Sequence, residues 1–449
     1  MNIMDVIADP LVIAFAVPVL IALIAKFRFN GLEIAVILLP VSLTPQLGSM
    51  TLNFSPRDNH ERGNDGPRTP VGATSSVATT ILFGRRYKTS RRLVLSRGAL
   101  IIKAAGAFLP LMLITALPVI LHESSSARAF LLDALKLATV LLYMLTFAVV
   151  AHDKLARRDH RFLVTWSYVG TVVAMTGIAG SLLYDRGYET SLAEYYRATG
   201  TVNDPNSFAT YLLMTIGVTL LVTHLKSGRL PLFRTIILIV GLYMSYSRAG
   251  YLIFGLMLFL IAFMAGRSQL LRRFAFLCIA PPLVYLSLNP QLLDELVNGR
   301  RELSVENDLR FVLWDFAVAL AEQNPFFGVG LGQYSLHSTQ TLGTQHVTHN
   351  TYLSFFAEGG VFGLTVIVMI FGLVLAAALR LQDMSSRKTM FLALSATLMM
   401  AASLNLQNFR PFWVLAGVAF AMLQVQKDQL TERGKTSLDS LPQDMTEGN

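Results

Sequence analysis

Residues 348–379 read "THNTYLSFFAEGGVFGLTVIVMIFGLVLAAAL". Beyond Glu358 the stretch runs to Leu379 without a charged side chain. Such a run suits a helix crossing a bilayer, which takes about 20 apolar residues. Its head is different in character. It carries His349, Asn350, Glu358 and the glycines at 359, 360 and 363. That polar head is either a helix-start signal or the edge of a chemical site, and the rest of the chain has to decide.

The whole chain has the same apolar bias. Of 449 residues, 53% are hydrophobic and only 14% charged, against roughly 25% charged in soluble domains. A polytopic membrane unit is therefore expected rather than two or three soluble domains. The net charge of +9 is explained by basic loops on one membrane side, not by nucleic acid. One cysteine, Cys278, lies inside "FAFLCIAPPLVYL", which excludes an intrachain disulfide. The opening "MNIMDVIADP" has no basic head or cleavage site, so the first apolar stretch is expected to remain as a span.

About twelve spans are expected, near 10–26, 31–47, 99–121, 128–150, 162–184, 207–224, 231–246, 250–266, 272–288, 351–379, 388–405 and 411–426. Lys and Arg crowd the short loops 152–161, 224–234, 266–273 and 380–388, which alternate as cytoplasmic loops and leave both termini inside. The basic "KFRFNG" (26–31) breaks this rule. The expected organisation is an N-terminal transmembrane hairpin (1–47), a polar cytoplasmic loop (48–98), transmembrane helices (99–288), a large outer loop (289–350), C-terminal transmembrane helices (351–426) and a disordered cytoplasmic tail (427–449). Within the large loop, "NDLRFVLWDFAVALAEQNP" reads as a helix ending before Pro325.

The outer segments hold the candidate chemistry. Arg248 sits in the short turn "SYSRAG". It either snorkels at the interface or holds a phosphate, which a guanidinium grips with two hydrogen bonds while staying ionised. Arg310 stands in an apolar helix within an otherwise acidic loop, beside Arg300 and Arg301; such cations either pair with those acids or await an anionic ligand. His349 is the candidate for proton transfer, since an imidazole titrates near neutrality. The competing reading makes Thr348 or Asn350 a helix cap and His349 a bystander. His337, His346 and His349 also permit a metal reading, though their spacing matches no familiar closed site. "GVGLGQY" (328–334) is similar to a nucleotide loop but lacks its GxGxxG spacing and its strand–helix setting; a turn with close backbone contacts is expected. "DPN" (204–206) reads as a helix start capped by Asn206 or Ser207.

The order of these motifs, "TGTVNDPNSFA", "SYSRAG", "LRFVLWDFA", "NPFFGVGLGQY" and "HNTYLSFFAEGGVFG", resembles the O-antigen ligase and polymerase superfamily over residues 190–370. The resemblance implies an all-α polytopic membrane glycosyltransferase, GT-C-like, with a large and partly helical periplasmic loop. It implies a donor glycan on undecaprenyl pyrophosphate and an acceptor hydroxyl on a glycolipid or growing polysaccharide. It also implies a site facing the periplasm from the bacterial inner membrane, inverting chemistry, and neither metal nor cofactor. By the same resemblance Arg248 and Arg310 hold the donor pyrophosphate and His349 activates the acceptor. Arg197, Arg300, Arg301 and Arg410 are further candidate contacts, and Asn350 and Glu358 either orient the histidine or shape the helix start. The 48–98 segment has no counterpart in the family. A transporter of lipid-linked oligosaccharide is the alternative of another class. Its candidate residues within the spans are Lys103 and the pair Asp133–Lys136, which i,i+3 spacing allows to neutralise each other.

Overall fold

The computed structural model describes residues 108–264 and 304–439 apart from 122–124, 203, 227 and 344–345, together with positions 106, 269, 272, 273, 275 and 276. These residues lie within one compact unit. The expected spans near 10–26 and 31–47, most of 272–288, the 48–98 loop, Lys103, Arg300 and Arg301 lie outside the described residues.

Helices stand at each expected span that the described residues cover. They are α1 (Phe108–Leu121), α2 (Ala127–Ala156), α3 (Arg161–Tyr184), α4 (Pro205–Leu225), α5 (Leu232–Met244) and α6 (Arg248–Met264). After the outer segment come α9 (Thr351–Leu379), α10 (Met384–Met400) and α11 (Arg410–Asp439). Among the described residues, α2, α3, α4 and α9 are long and apolar enough to cross a membrane, and α1, α5 and α6 are shorter apolar helices. The outer segment contributes α7 (Ser304–Gln323) and α8 (Tyr334–Leu342), and a small hairpin pairs β1 (Ala193–Glu194) with β2 (Arg197–Ala198).

Side chains at the helix starts explain where the helices begin. Ser126 Oγ accepts from Ala129 N at the head of α2, and Asp383 Oδ2 from Ser386 N at the head of α10; each satisfies an amide the helix itself cannot. For α4 the cap is Asp204, whose Oδ1 accepts from Ser207 N at 2.6 Å, with Pro205 in the first turn. This corrects the expectation of Asn206 or Ser207. Asp followed by Pro is the stronger signal, because proline's fixed φ and missing N–H suit the first helical position.

Packing relies on small residues. A Cβ on Gly217 of α4 would meet Ala393 Cβ of α10 at 2.5 Å, and one on Gly417 of α11 would meet the Met144 carbonyl of α2 at 2.3 Å. Backbones this close gain dispersion contacts that lipid cannot supply. At one end of the bundle His224 Nε2 meets Asp383 Oδ2 at 2.8 Å and His152 Nε2 meets Asp428 Oδ2 at 2.9 Å. There too Gln382 N donates to Gln426 Oε1. The basic segments 152–161, 224–234 and 380–388 therefore share one end. Since α4 and α10 run antiparallel, the start of α4 and the end of α10 share the other.

One expectation is corrected here, and one expected span carries an internal break. Lys427 does not begin a disordered tail: α11 continues to Asp439, tied to α2 by His152–Asp428 and internally by Gln424 Nε2 donating to Asp428 Oδ1. Nor is Thr351–Leu379 one uniform helix. It breaks at Gly360, where φ is 60° and ψ −159°. The break arises because a neighbouring strand of chain takes over the helix hydrogen bonds. Val329 N donates to Ala357 O and Gly330 N to Glu358 O, both at 2.9 Å. Below the break, Val361 N donates to Pro325 O at 2.8 Å and Phe362 N to Phe326 O at 3.3 Å. A Cβ at Gly360 would lie 2.3 Å from the carbonyl carbon of Phe326. Gly360 thus serves to admit the 325–330 segment, not to pack one helix on another. The expected close-contact turn in "GVGLGQY" is found: Gly328, Gly330 and Gly332 all have positive φ, and a Cβ on Gly328 would lie 2.4 Å from Ala357 O.

Candidate functional site

Two turns at the same end of the bundle carry most of the candidate residues. The first joins α5 to α6. Tyr246 adopts φ 48°, a left-handed conformation that a bulky residue enters only when its surroundings impose it. Ser247 then starts α6: its Oγ accepts from Gly250 N at 3.1 Å and donates to Asn206 Oδ1 at 2.7 Å. Arg248 follows as the first helical residue and is exposed. Arg197, on β2, is buried to 8% exposure and donates from Nε to Ser245 O. The structure therefore brings Arg197 to the Arg248 turn as a brace for its backbone. Asn206 supports the same turn from α4, and the sequence reading had assigned it to a cap.

The second turn precedes α9. His349 has φ 49°, again left-handed. Asn350 is the cap, its Oδ1 accepting from Tyr352 N at 3.0 Å and Leu353 N at 3.2 Å. Thr348 is buried and holds both neighbours: Asn350 N donates to its Oγ1 at 3.3 Å, and that hydroxyl donates to Asn405 Oδ1 at 3.1 Å. From α7, Trp314 Nε1 donates to Thr348 O at 3.0 Å. Arg310 lies one turn before Trp314, on the same helical face, and is half-buried. The helix carrying Arg310 is thus fixed directly to the His349 turn. Thr351 ties the turn to the link between α10 and α11: its Oγ1 donates to Leu404 O and accepts from Leu406 N, both at 2.7 Å.

Glu358 does not reach the turn directly. Its side chain is 4% exposed and Oε1 accepts from Gly332 N at 3.0 Å and Tyr334 N at 3.3 Å. Tyr334 in turn donates from Oη to Leu313 O at 2.8 Å. Burial, with the Glu358 charge adding to it, pushes the Tyr334 phenol above its ordinary range, so the hydroxyl remains a donor. Gln333, fully buried, grips the head of α2 with both ends of its amide: Ser126 N donates to Oε1 at 2.8 Å, and Nε2 donates to Ser126 O at 2.9 Å.

Other candidates stand elsewhere. Arg410 places its guanidinium carbon 5.8 Å from the Tyr143 ring centroid, a cation–π contact between α11 and α2. Asp133 and Lys136 form the expected ion pair on α2. His337, His346 and His349 do not assemble as ligands: among the described residues no group of three or more His, Cys, Asp or Glu side chains could hold a metal ion. Burial in α8 holds the His337 imidazole below its ordinary value.

Several apolar helices around a polar end define a multi-pass, helical membrane protein. The sequence model of a family described as O-antigen ligase matches residues 233–368, from α5 into α9, and so covers both turns and the 325–334 segment between them. This match supports the O-antigen ligase and polymerase superfamily that the motif order resembles, and with it an O-antigen ligase-like function. The family implies lipid-linked oligosaccharide and polysaccharide substrates. No curated protein gives a match.

Proposed function

We propose that the protein is an inner-membrane glycosyltransferase that moves a glycan from undecaprenyl pyrophosphate to an acceptor hydroxyl at the periplasmic face. The supporting observation is that Arg248, Arg310 and His349 all fall inside the matched ligase region, Arg248 and His349 on two turns at one end of the bundle and Arg310 on the helix tied to the second of them. In this reading the acceptor oxygen attacks the anomeric carbon while the bond from that carbon to the pyrophosphate oxygen breaks. The bonding pair leaves with the pyrophosphate, and His349 takes the acceptor proton. Arg248 and Arg310 offset the charge that grows on the leaving group. Direct displacement inverts the anomeric centre, and these side chains supply the needed charge and base without a metal. Arg197 acts through the Arg248 turn. Arg300, Arg301 and Arg410 are further contacts for donor or acceptor, and Asn350 fixes the histidine's turn. The acceptor we favour is a glycolipid core, which makes the enzyme a ligase; a second lipid-linked chain as acceptor would make it a polymerase of repeat units.

Purified protein in liposomes, given undecaprenyl pyrophosphate-linked oligosaccharide with and without lipid A-core, tests this. Glycan on the core alone is the expected product, absent with His349→Ala. Longer lipid-linked chains without core would identify a polymerase. Movement of the oligosaccharide across the bilayer with no covalent product would replace the enzyme with a transporter.

A further inference from the structure

The contacts of Glu358 form a closed circuit. The Glu358 side-chain oxygen Oε1 holds the backbone amides of Gly332 and Tyr334. The Tyr334 hydroxyl holds Leu313 O on α7. The next residue of α7, Trp314, holds Thr348 O. Thr348 precedes His349 and braces Asn350 N, and Asn350 caps the helix that carries Glu358. The links from Glu358 to the 332–334 backbone, from Tyr334 to Leu313 and from Trp314 to Thr348 join parts of the chain distant in sequence, and the local steps return the circuit to its start. The ring forms would also pack: Phe316 and Tyr334 meet edge to face at 5.7 Å, next to Ala317, Leu320, Val329 and Ala357.

From this circuit we infer that Glu358 is a positioning residue for His349, acting through Tyr334, α7 and Trp314 and not by contact with substrate. A left-handed histidine has no helix or strand of its own to hold it. Its backbone is therefore set by what fixes Thr348 and Asn350 on either side. A buried carboxyl group is suited to the far end of such a chain, because one oxygen accepts two amides and leaving either amide unpaired in an apolar setting is unfavourable. The three left-handed glycines of the 328–332 segment let the backbone turn its amides onto Glu358 and onto the broken end of α9. The role is thus oxygen acceptance, which glutamine would retain. The inference rests on the transferase reading only for its activity readout.

The test uses full-length protein in liposomes, with a nitroxide spin label on Val347→Cys in a Cys278→Ser background. Val347 is 44% exposed and adjoins Thr348. Glu358→Ala is expected to lower kcat for transfer by about tenfold, the effect of losing roughly one hydrogen bond's alignment. KM for the lipid-linked donor should stay within about twofold, and the label's spectrum should narrow as the turn loosens. Glu358→Gln should restore both readouts. A glutamine variant as slow as the alanine variant would overturn the inference, as would an alanine variant whose label is as immobile as in the parent. If Glu358→Ala does not fold, Tyr334→Phe and Trp314→Phe, each removing one link and keeping an aromatic side chain, carry both readouts; unchanged kcat and spectrum in both would equally overturn it. Should the parent protein transfer no glycan, the transferase reading falls, while the spin-label response still decides the role of Glu358.

Discussion

The Ser245–Arg248 turn and the Thr348–Thr351 turn have the same local design. In each, one bulky left-handed residue (Tyr246 or His349) precedes a polar cap (Ser247 or Asn350) and then a helix. They differ in where the functional candidate sits. In the first turn the left-handed position is taken by an aromatic residue, whose ring meets Tyr196 edge to face at 5.0 Å, and the functional candidate is the exposed arginine after the cap. In the second the candidate itself occupies the left-handed position. A pyrophosphate clamp tolerates some freedom, because a guanidinium can follow an anion. A proton acceptor does not, because it must lie within hydrogen-bond reach of one oxygen. The anchoring is consistent with those proposed roles: Asn206 and Arg197 brace the first turn, whereas α7, the α10–α11 link and its own cap all converge on the second.

The comparison is most sharply tested at His349. His349→Ala is expected to reduce transfer by about 10²–10⁴-fold in the liposome assay, with donor binding retained; near-normal turnover would remove the difference between the turns. His349→Gly should be equally inactive yet more stable than the alanine variant by about 1 kcal/mol in thermal unfolding, because glycine enters the left-handed region freely. Next comes a glycine from each following helix. Gly360→Ala should destabilise by about 2–5 kcal/mol through clash and backbone strain, since its Cβ would meet Phe326. Gly255→Ala in α6, with open space around the added carbon, should be neutral or slightly stabilising. Comparable unfolding temperatures for the two would dissolve the contrast in how the helices are held.

Smaller effects probe the first turn. Arg248→Ala is expected to weaken binding of the lipid-linked donor by about 10–100-fold, the scale of one charge-assisted phosphate contact, without loss of fold because the side chain is exposed. Unchanged donor affinity would return Arg248 to the status of an interfacial anchor. Asn206→Ala strands the buried Ser247 hydroxyl and should lower stability by about 1–3 kcal/mol. It should affect donor binding more than kcat; the reverse split would mean that the two turns are coupled. The smallest expected effect is that of pH at α8. The folded His337 pKa is held below its ordinary 6.5 by burial, so its contribution to stability is complete above that value and is lost as pH falls from there towards the folded pKa. His337→Gln should flatten that part of a melting-temperature profile, and an identical profile would show that the group is irrelevant.

Much of this was legible in the sequence. Apolar runs located the helices, and Asn350 was among the caps considered, because both signals are local. What escaped was set by distant chain. Nothing near Gly360 in sequence announces that 325–330 will take its helix hydrogen bonds. The role of Asn206 was hidden because "DPN" offers several polar residues at a helix start, and only the partner Ser247, 41 residues on, distinguishes them. The tail from Lys427 looks polar and unstructured by composition, yet Asp428 finds His152 on a helix far back in the chain.

The break in α9 also bears on how the protein is made. Without the 325–330 segment, a helix broken at Gly360 would leave Ala357 O, Glu358 O, Val361 N and Phe362 N without these partners, a cost that a helix entering a bilayer avoids by closing its own hydrogen bonds. Residues 351–379 must therefore enter the bilayer as an uninterrupted helix, and the interruption is imposed afterwards, when the preceding segment docks. An isolated 351–379 peptide in a bilayer should accordingly show continuous helical amide protection across Gly360. The circuit from Glu358 to the histidine's turn is closed only when that segment is docked, because Gly332 and Tyr334 follow directly from it.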